Sequence, residues 1–287
     1  MLKVTTISLN RFRGRTQKLA PLIAGGWGLG YLFVQIHGQL RGGVGWNLRW
    51  DMFDLYTWFF SLFMAAGNWF LRIAQWKTAV SIHRVLRWRD AACQQLKSFA
   101  WAAFTPALIG EWPGKIWFYE NREGIFRSVT RQQIVQMGVT LSMGMVAMMR
   151  VGILWWVLIG FVVVVLVRLL KIKQLTYWFR LAGLSVLRYL FFASMLVMIL
   201  YVWHPEVGLE PILRKVAIYY FWSSVVPLAF GWELPIKGGI GVWQFGMLGY
   251  TPLEAGAAVG WMWIWNTLVP VLVGQLLLWT RKNCGYV

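Results

Sequence analysis

Apolar runs of about bilayer-crossing length recur from one end of this chain to the other, and that repetition leaves few folds open. The runs are Leu19–Ile36, Leu55–Trp76, Ile134–Met149, Gly152–Leu170, Leu181–Val202 and Ala255–Trp279, each with few or no charges. A helix needs roughly 20 predominantly apolar residues to cross the hydrocarbon core of a membrane. Composition agrees: 59% of the 287 residues are hydrophobic, 13% are charged, and the mean hydropathy is +0.56. Soluble domains lie nearer half apolar and a quarter charged. The expected fold is an all-α polytopic membrane protein, with residues 1–287 forming a single transmembrane domain and no soluble domain.

A net charge of +18 would point to nucleic acid in a soluble chain. Here the charges fall in short connections between apolar runs, where they set topology and meet anionic headgroups, so no nucleic-acid partner is expected. Basic residues crowd the N-terminal segment (Lys3, Arg11, Arg13, Arg15, Lys18), the segment after the second run (Lys77, Arg84, Arg87, Arg89, Lys97) and the one after the fourth (Lys171, Lys173, Arg180). Asp51, Asp54, Glu206 and Glu210 mark the other connections. The positive-inside rule then puts both termini in the cytoplasm of a plasma (inner) membrane protein, with about six spans satisfying that parity. Gly25, Gly26, Gly28 and Gly30 read as close helix packing in a retained first span rather than as a cleaved signal. Lys77–Lys97 is amphipathic and reads as an interfacial helix, with a solvated, positively charged connector as the plainer alternative. Cys93 and Cys284 read as isolated thiols, without a metal or disulfide signature.

Two segments break the apolar pattern. Thr105–Trp112 and Leu234–Trp243 each carry a proline followed four residues later by a glycine (Pro106 and Gly110, Pro235 and Gly239), beside Glu111 and Lys115 in one case and Glu233 and Lys237 in the other. Freed backbone groups and charges have no partner in lipid, so such segments line a cavity or pack inside protein. Phe99–Tyr119 and Val216–Tyr250 therefore read as two re-entrant hairpins, the alternative being that Val216–Phe230 is an ordinary span, which shifts the parity. Each half then orders as span, span, hairpin, span, giving inverted pseudo-repeats of about 19–150 and 151–280 around a shared midplane cavity.

Candidate binding residues follow from placement. Asn68, Arg72 and Trp76 fall at i, i+4 and i+8 on one helical stripe, with Gln75 beside it. Arg72 either holds a phosphate bidentately or snorkels to the interface. Glu111 either pairs with Arg72 or Lys115 or favours the helix start after it. Lys237 with the turn-permitting Gly238, Gly239 and Gly241 offers an anion nest, and a bare turn is the plainer alternative. Arg188 is a further buried-cation candidate, and Asn266 reads as an interhelical hydrogen bond. His37, His83 and His204 are scattered, and no Walker loop, GxSxG or HExxH occurs, so no metal, cofactor or catalytic residue is indicated.

The stripe Asn68–Arg72–Trp76, the segment Thr105-Pro-Ala-Leu-Ile-Gly-Glu111 with Lys115, and Leu234-Pro-Ile-Lys-Gly-Gly-Ile-Gly-Val242 together resemble the transmembrane domain of lysylphosphatidylglycerol synthase/flippase proteins. The family pattern has Arg-Glu after Gly-Val, where this chain has Trp243-Gln244. It also has Glu-Arg at the start of the third span, where Gln136-Met137-Gly138 stands. The resemblance implies a stand-alone membrane domain that moves an amphiphile, without the soluble synthase domain that aminoacylates lipid. On this reading Arg72, Lys115 and Lys237 meet anionic groups, Asn68 and Gln244 give hydrogen bonds, Glu111 supplies a carboxylate, and Gly239 and Gly241 shape the site. The partner is a membrane phospholipid or lipid-linked substrate, with a homo-oligomer or partner enzyme left open. The alternatives are a membrane transferase acting on a lipid-linked sugar or phosphate, with Glu111 or Glu233 as base, and a non-transporting anchor subunit.

Overall fold

The computed structural model describes residues 55–102, 110–149, 175–225 and 230–279, of which 230–232 as backbone only. The expected spans Leu19–Ile36 and Gly152–Leu170, with Pro106 and Cys284, lie outside these residues. The described residues form helices and their connections, without a strand. In order these are α1 (Leu55–Val80), α2 (Trp88–Ala102), α3 (Glu111–Ile116), α4 (Arg122–Met149), α5 (Leu175–Trp203), α6 (Leu209–Val225), α7 (Phe230–Gly246) and α8 (Pro252–Trp279).

Among them α5 and α8 are long and apolar enough to cross a membrane. Helices α1 and α4 cover the expected runs Leu55–Trp76 and Ile134–Met149 but are more polar, so of the four expected spans that fall among the described residues two meet that measure. The polarity of α1 is turned inward. Its buried stripe is Thr57, Ser61, Ala65, Asn68 and Gln75, whereas Phe59, Leu62, Phe63 and Phe70 are exposed. A surface helix of a soluble protein has the opposite arrangement. Small and polar inside with large and apolar outside is what a lipid-facing helix requires.

Cross-helix contacts fix the relative directions. Asn68 and Gln75 of α1 meet Arg188 and Ser185 of α5, so these two helices are antiparallel. Ser61 and Asn68 meet Trp261 and Asn266 of α8, which runs parallel to α1. The C-terminal end of α1 and the N-terminal ends of α2 and α4 share one end of the bundle, where His83 contacts Ser128 at 3.1 Å. Exposed Arg84, Arg87, Arg89, Arg122 and Arg127 gather there. Glu206 and Glu210 lie at the opposite end, beyond the C-terminus of α5.

Two helix pairs are rooted at opposite ends. Helix α2 leaves the basic end and runs back along α1, with Gln94 on Trp76 and Phe99 against Arg72. Helix α3 begins level with Arg72, and the chain returns to the level of Trp76 by Tyr119. Gly114 makes the approach of α3 to α2 close, since a Cβ there would meet the Ser98 Cα at 3.0 Å. At the other end α6 starts beside α4, where Arg214 donates to the Ala147 carbonyl. Helix α7 runs antiparallel to α6, pairing Tyr219 with Phe245 and Trp222 with Trp243.

Three expectations are corrected. Leu234–Trp243 is not a broken loop: it lies inside α7, with Pro235 in the helix near its start. Pro235, the sixth residue of α7, forfeits one helical hydrogen bond, and the segment stays helical despite its three glycines. Lys77–Lys97 is not one interfacial helix, because α1 ends at Val80 and the chain reverses into α2 at Trp88. Cys93, expected as an isolated thiol, is disulfide-bonded.

Helix α8 opens with a capping box, in which the Thr251 side chain accepts from the Glu254 N–H and Glu254 accepts from the Thr251 N–H, with Pro252 at the first position. Midway it widens into a π-helical turn, Ile264–Leu268, closed by the Val269 N–H on the Ile264 carbonyl. Pro270 explains the turn. It has no N–H for the Asn266 carbonyl four residues earlier, and its ring would crowd that carbonyl in a regular helix.

Candidate functional site

Helices α1, α2, α3 and α4 converge on a buried carboxylate. Glu111, at the first position of α3, is 1% exposed and takes cations from two helices, Arg72 at 2.5 Å and Lys115 at 2.8 Å. Gln95 Nε2 donates to its Oε1 at 2.8 Å, and Gln133 Nε2 donates to its Oε2 at 3.4 Å. Both oxygens are thereby occupied. Lys115 is completely buried, donates to Gln132 Oε1 at 3.2 Å, and lies over the Trp76 ring at 4.5 Å. The Arg72 guanidinium covers the Phe99 ring at 3.8 Å. Arg72 is therefore turned into the bundle rather than snorkelling along its surface.

A second set of polar groups lies next to the first on α1. Arg188 donates from Nε to Asn68 Oδ1 at 3.1 Å and from Nη1 to Gln75 Oε1 at 3.1 Å. A weaker contact from Nη1 reaches Gln136 Oε1 at 3.5 Å. Gln75 Nε2 donates in turn to Ser185 and Gln136. Asn68 Nδ2 donates to Asn266 Oδ1 at 2.6 Å, which brings the π-helical turn of α8 into the network. Arg72 and Glu111 both act electrostatically on Arg188. Among these residues three cations, Arg72, Lys115 and Arg188, face one carboxylate.

The positions expected in the site thus divide. Asn68, Arg72, Glu111 and Lys115 come together. Lys237, Gly239, Gly241 and Gln244 belong to α7, which packs on α6 and α8. Lys237 pairs with Glu233 of its own helix at 2.5 Å, and Glu233 Oε2 accepts from Trp263 Nε1 at 3.4 Å. Glu111 and Lys237 therefore each have their own partner, and the two segments do not share an ion pair. Gly238, Gly239 and Gly241 sit inside α7, where their N–H groups belong to the helical ladder, so the anticipated anion nest does not form. Gly241 packs closely on Val259 of α8, and Gln244 is buried.

Sequence reasoning overlooked the amides. Gln95, Gln132, Gln133 and Gln136 all contribute to the network. The signal was present in Gln132, Gln133 and Gln136, whose i, i+1, i+4 spacing puts amides along one side of α4. Gln136, in the Gln136-Met137-Gly138 segment, thus supplies a neutral partner to Arg188.

At the acidic end His204 joins Glu206 at 2.6 Å and Glu254 at 3.3 Å, bridging the C-terminus of α5 to the start of α8. Burial works against the His204 imidazolium, but hydrogen bonds and charge from the two carboxylates outweigh it and raise its pKa above the ordinary value.

No family model, curated protein or solved structure matches the chain.

Proposed function

We propose that this is a membrane protein that binds the headgroup of a phospholipid or similar amphiphile within its polar interior and carries it across the bilayer. It is a flippase-like transporter similar to the membrane domain of lysylphosphatidylglycerol synthase/flippase proteins. The observation that carries this reading is the charged network inside an otherwise apolar bundle: Arg72, Lys115 and Arg188 around Glu111, with apolar side chains turned outward on α1. Ionisable groups among transmembrane segments mark substrate paths by default. The rooting of α2–α3 and α6–α7 at opposite ends supports a re-entrant, inverted arrangement. Exposed arginines at one end and Glu206 and Glu210 at the other support a cytoplasmic basic end.

A transferase with Glu111 as base fits less well. Both carboxylate oxygens are engaged by cations and amides, which leaves neither free for a substrate proton. Reconstitution in liposomes tests the proposal. With a fluorescent phospholipid, transport predicts relocation between leaflets without covalent change, and Arg72→Gln should lower its rate strongly. A new lipid product by mass spectrometry, or relocation no faster than in empty liposomes, would reject it.

A further inference from the structure

We infer that Arg72 and Arg188 together form a phosphate-binding clamp, the recognition element of the proposed headgroup site; the inference rests on that reading. Buried charges in proteins are normally matched by an opposite charge. Arg188, half-buried, is not so matched among the described residues: its acceptors Asn68, Gln75 and Gln136 are neutral amides. Arg72 shares the Glu111 carboxylate with Lys115, and its buried Nε has no hydrogen-bond acceptor. Within this network the charge is three positive groups against one negative, so among the described residues the network is short of anion. A diester phosphate supplies one negative charge and oxygens that match guanidinium forks, whereas a zwitterion's ammonium would be repelled.

The elements holding the two arginines serve such a clamp. Glu111 fixes Arg72 from one side, and the Phe99 ring supports its plane. Asn68 and Gln75 flank Arg72 on α1 and fix Arg188 through their carbonyl oxygens, so both guanidinium groups are tied to the same stretch of one helix. The amides hold Arg188 without neutralising it. An arriving phosphate therefore meets a charge that no carboxylate contacts among the described residues, and displaces none.

A cation kept for a ligand differs measurably from one kept for folding. The thermal unfolding midpoint of the purified protein in a nonionic, phosphate-free detergent is followed with added short-chain phosphatidylglycerol, and separately with inorganic phosphate. Wild type should gain stability with phosphatidylglycerol; a gain with inorganic phosphate as well assigns recognition to the phosphate alone. Arg188→Gln, whose amide can bond to Asn68 and Gln75, should keep or raise the ligand-free midpoint and weaken the lipid response by about tenfold or more in half-saturating concentration. Arg188→Lys, which retains charge but not the fork, should fall between them. The clamp is overturned if neither additive stabilises wild type, or if Arg188→Gln lowers the ligand-free midpoint while its lipid response stays intact. Lipid binding that depends on Arg188 without leaflet relocation would reject transport and keep the clamp. Relocation undiminished in Arg188→Gln would do the reverse.

Discussion

Arg72 and Glu111 meet at 2.5 Å across the interface of α1 and α3, with the carboxylate 1% exposed and the guanidinium side chain 12% exposed. Lys115, one helical turn beyond Glu111, closes the same carboxylate from the other side at 2.8 Å. One acid thus restrains two cations that would otherwise repel each other and face apolar surroundings.

Removing that acid should be severe. Glu111→Gln leaves Arg72 and Lys115 without their carboxylate, a change expected to destabilise by about 3–5 kcal/mol. Thermal unfolding in detergent measures it. The double variant Glu111→Gln with Arg72→Met should lose less than the sum of the single losses, and strict additivity would show that the pair is not coupled.

The Asn68–Asn266 hydrogen bond, 2.6 Å long, joins α1 to the π-helical turn of α8. Asn266→Ala removes it together with the bond to the Met262 carbonyl. A loss of about 1–3 kcal/mol is expected, because Asn68 keeps a buried donor without an acceptor. Asn266→Asp should instead pull Arg188 toward a new carboxylate and reduce the response to phosphatidylglycerol. An unchanged response would separate the π-helical turn from the binding site.

His204 gives a pH dependence with a definite sign. Its pKa is raised in the folded protein by Glu206 and Glu254, so the stabilisation is fully present below the ordinary value of 6.5 and lost as pH rises through the folded value. The unfolding midpoint of wild type should therefore fall on going from mildly acidic to mildly alkaline buffer. His204→Gln should remove that component of the fall. An equal slope in both proteins would place the titrating group elsewhere.

Two glycines separate packing from propensity. At Gly114 a Cβ meets the Ser98 Cα at 3.0 Å and the Trp101 Cβ at 3.3 Å, so Gly114→Ala should cost about 1–3 kcal/mol. At Gly138 nothing lies within 4 Å, and Gly138→Ala in the middle of α4 should be neutral or stabilise by about 0.5–1 kcal/mol. Measured unfolding midpoints that rank the two the other way would contradict the packing of α3 on α2.

Topology is open to direct measurement. On the proposed orientation, a cysteine at Glu206 should react with an impermeant thiol reagent added outside intact cells, and a cysteine at Arg87 should not. Labelling at Arg87 alone would invert the bundle and the assignment of its basic end.

The legible parts of the fold were those written in periodicity. Leu181–Val202 and Ala255–Trp279 fall within α5 and α8, because long apolar runs admit little besides helix. The stripe of Asn68 and Arg72 was legible too, since helical spacing alone puts these residues on one face. Pro235 and the following glycines misled, because propensity near a helix start is weak against the packing of α7 on α6 and α8. The partners of Arg188 were hidden for another reason. Asn68, Gln75 and Gln136 reach it from α1 and α4, and no local rule reports which helices become neighbours.

The π-helical turn in α8 also sets the phase of everything beyond it. One extra residue turns the following helix by about 100° relative to an uninterrupted one. With that offset Gly274 faces the Leu96 carbonyl of α2, at a spot too tight for any side chain. Without it a neighbouring residue would be presented there, and α2 could not come so close. Pro270, which forces the bulge, therefore acts like the tooth of a key: it fixes the angle at which the last part of α8 meets the helix that carries Gln95 to Glu111.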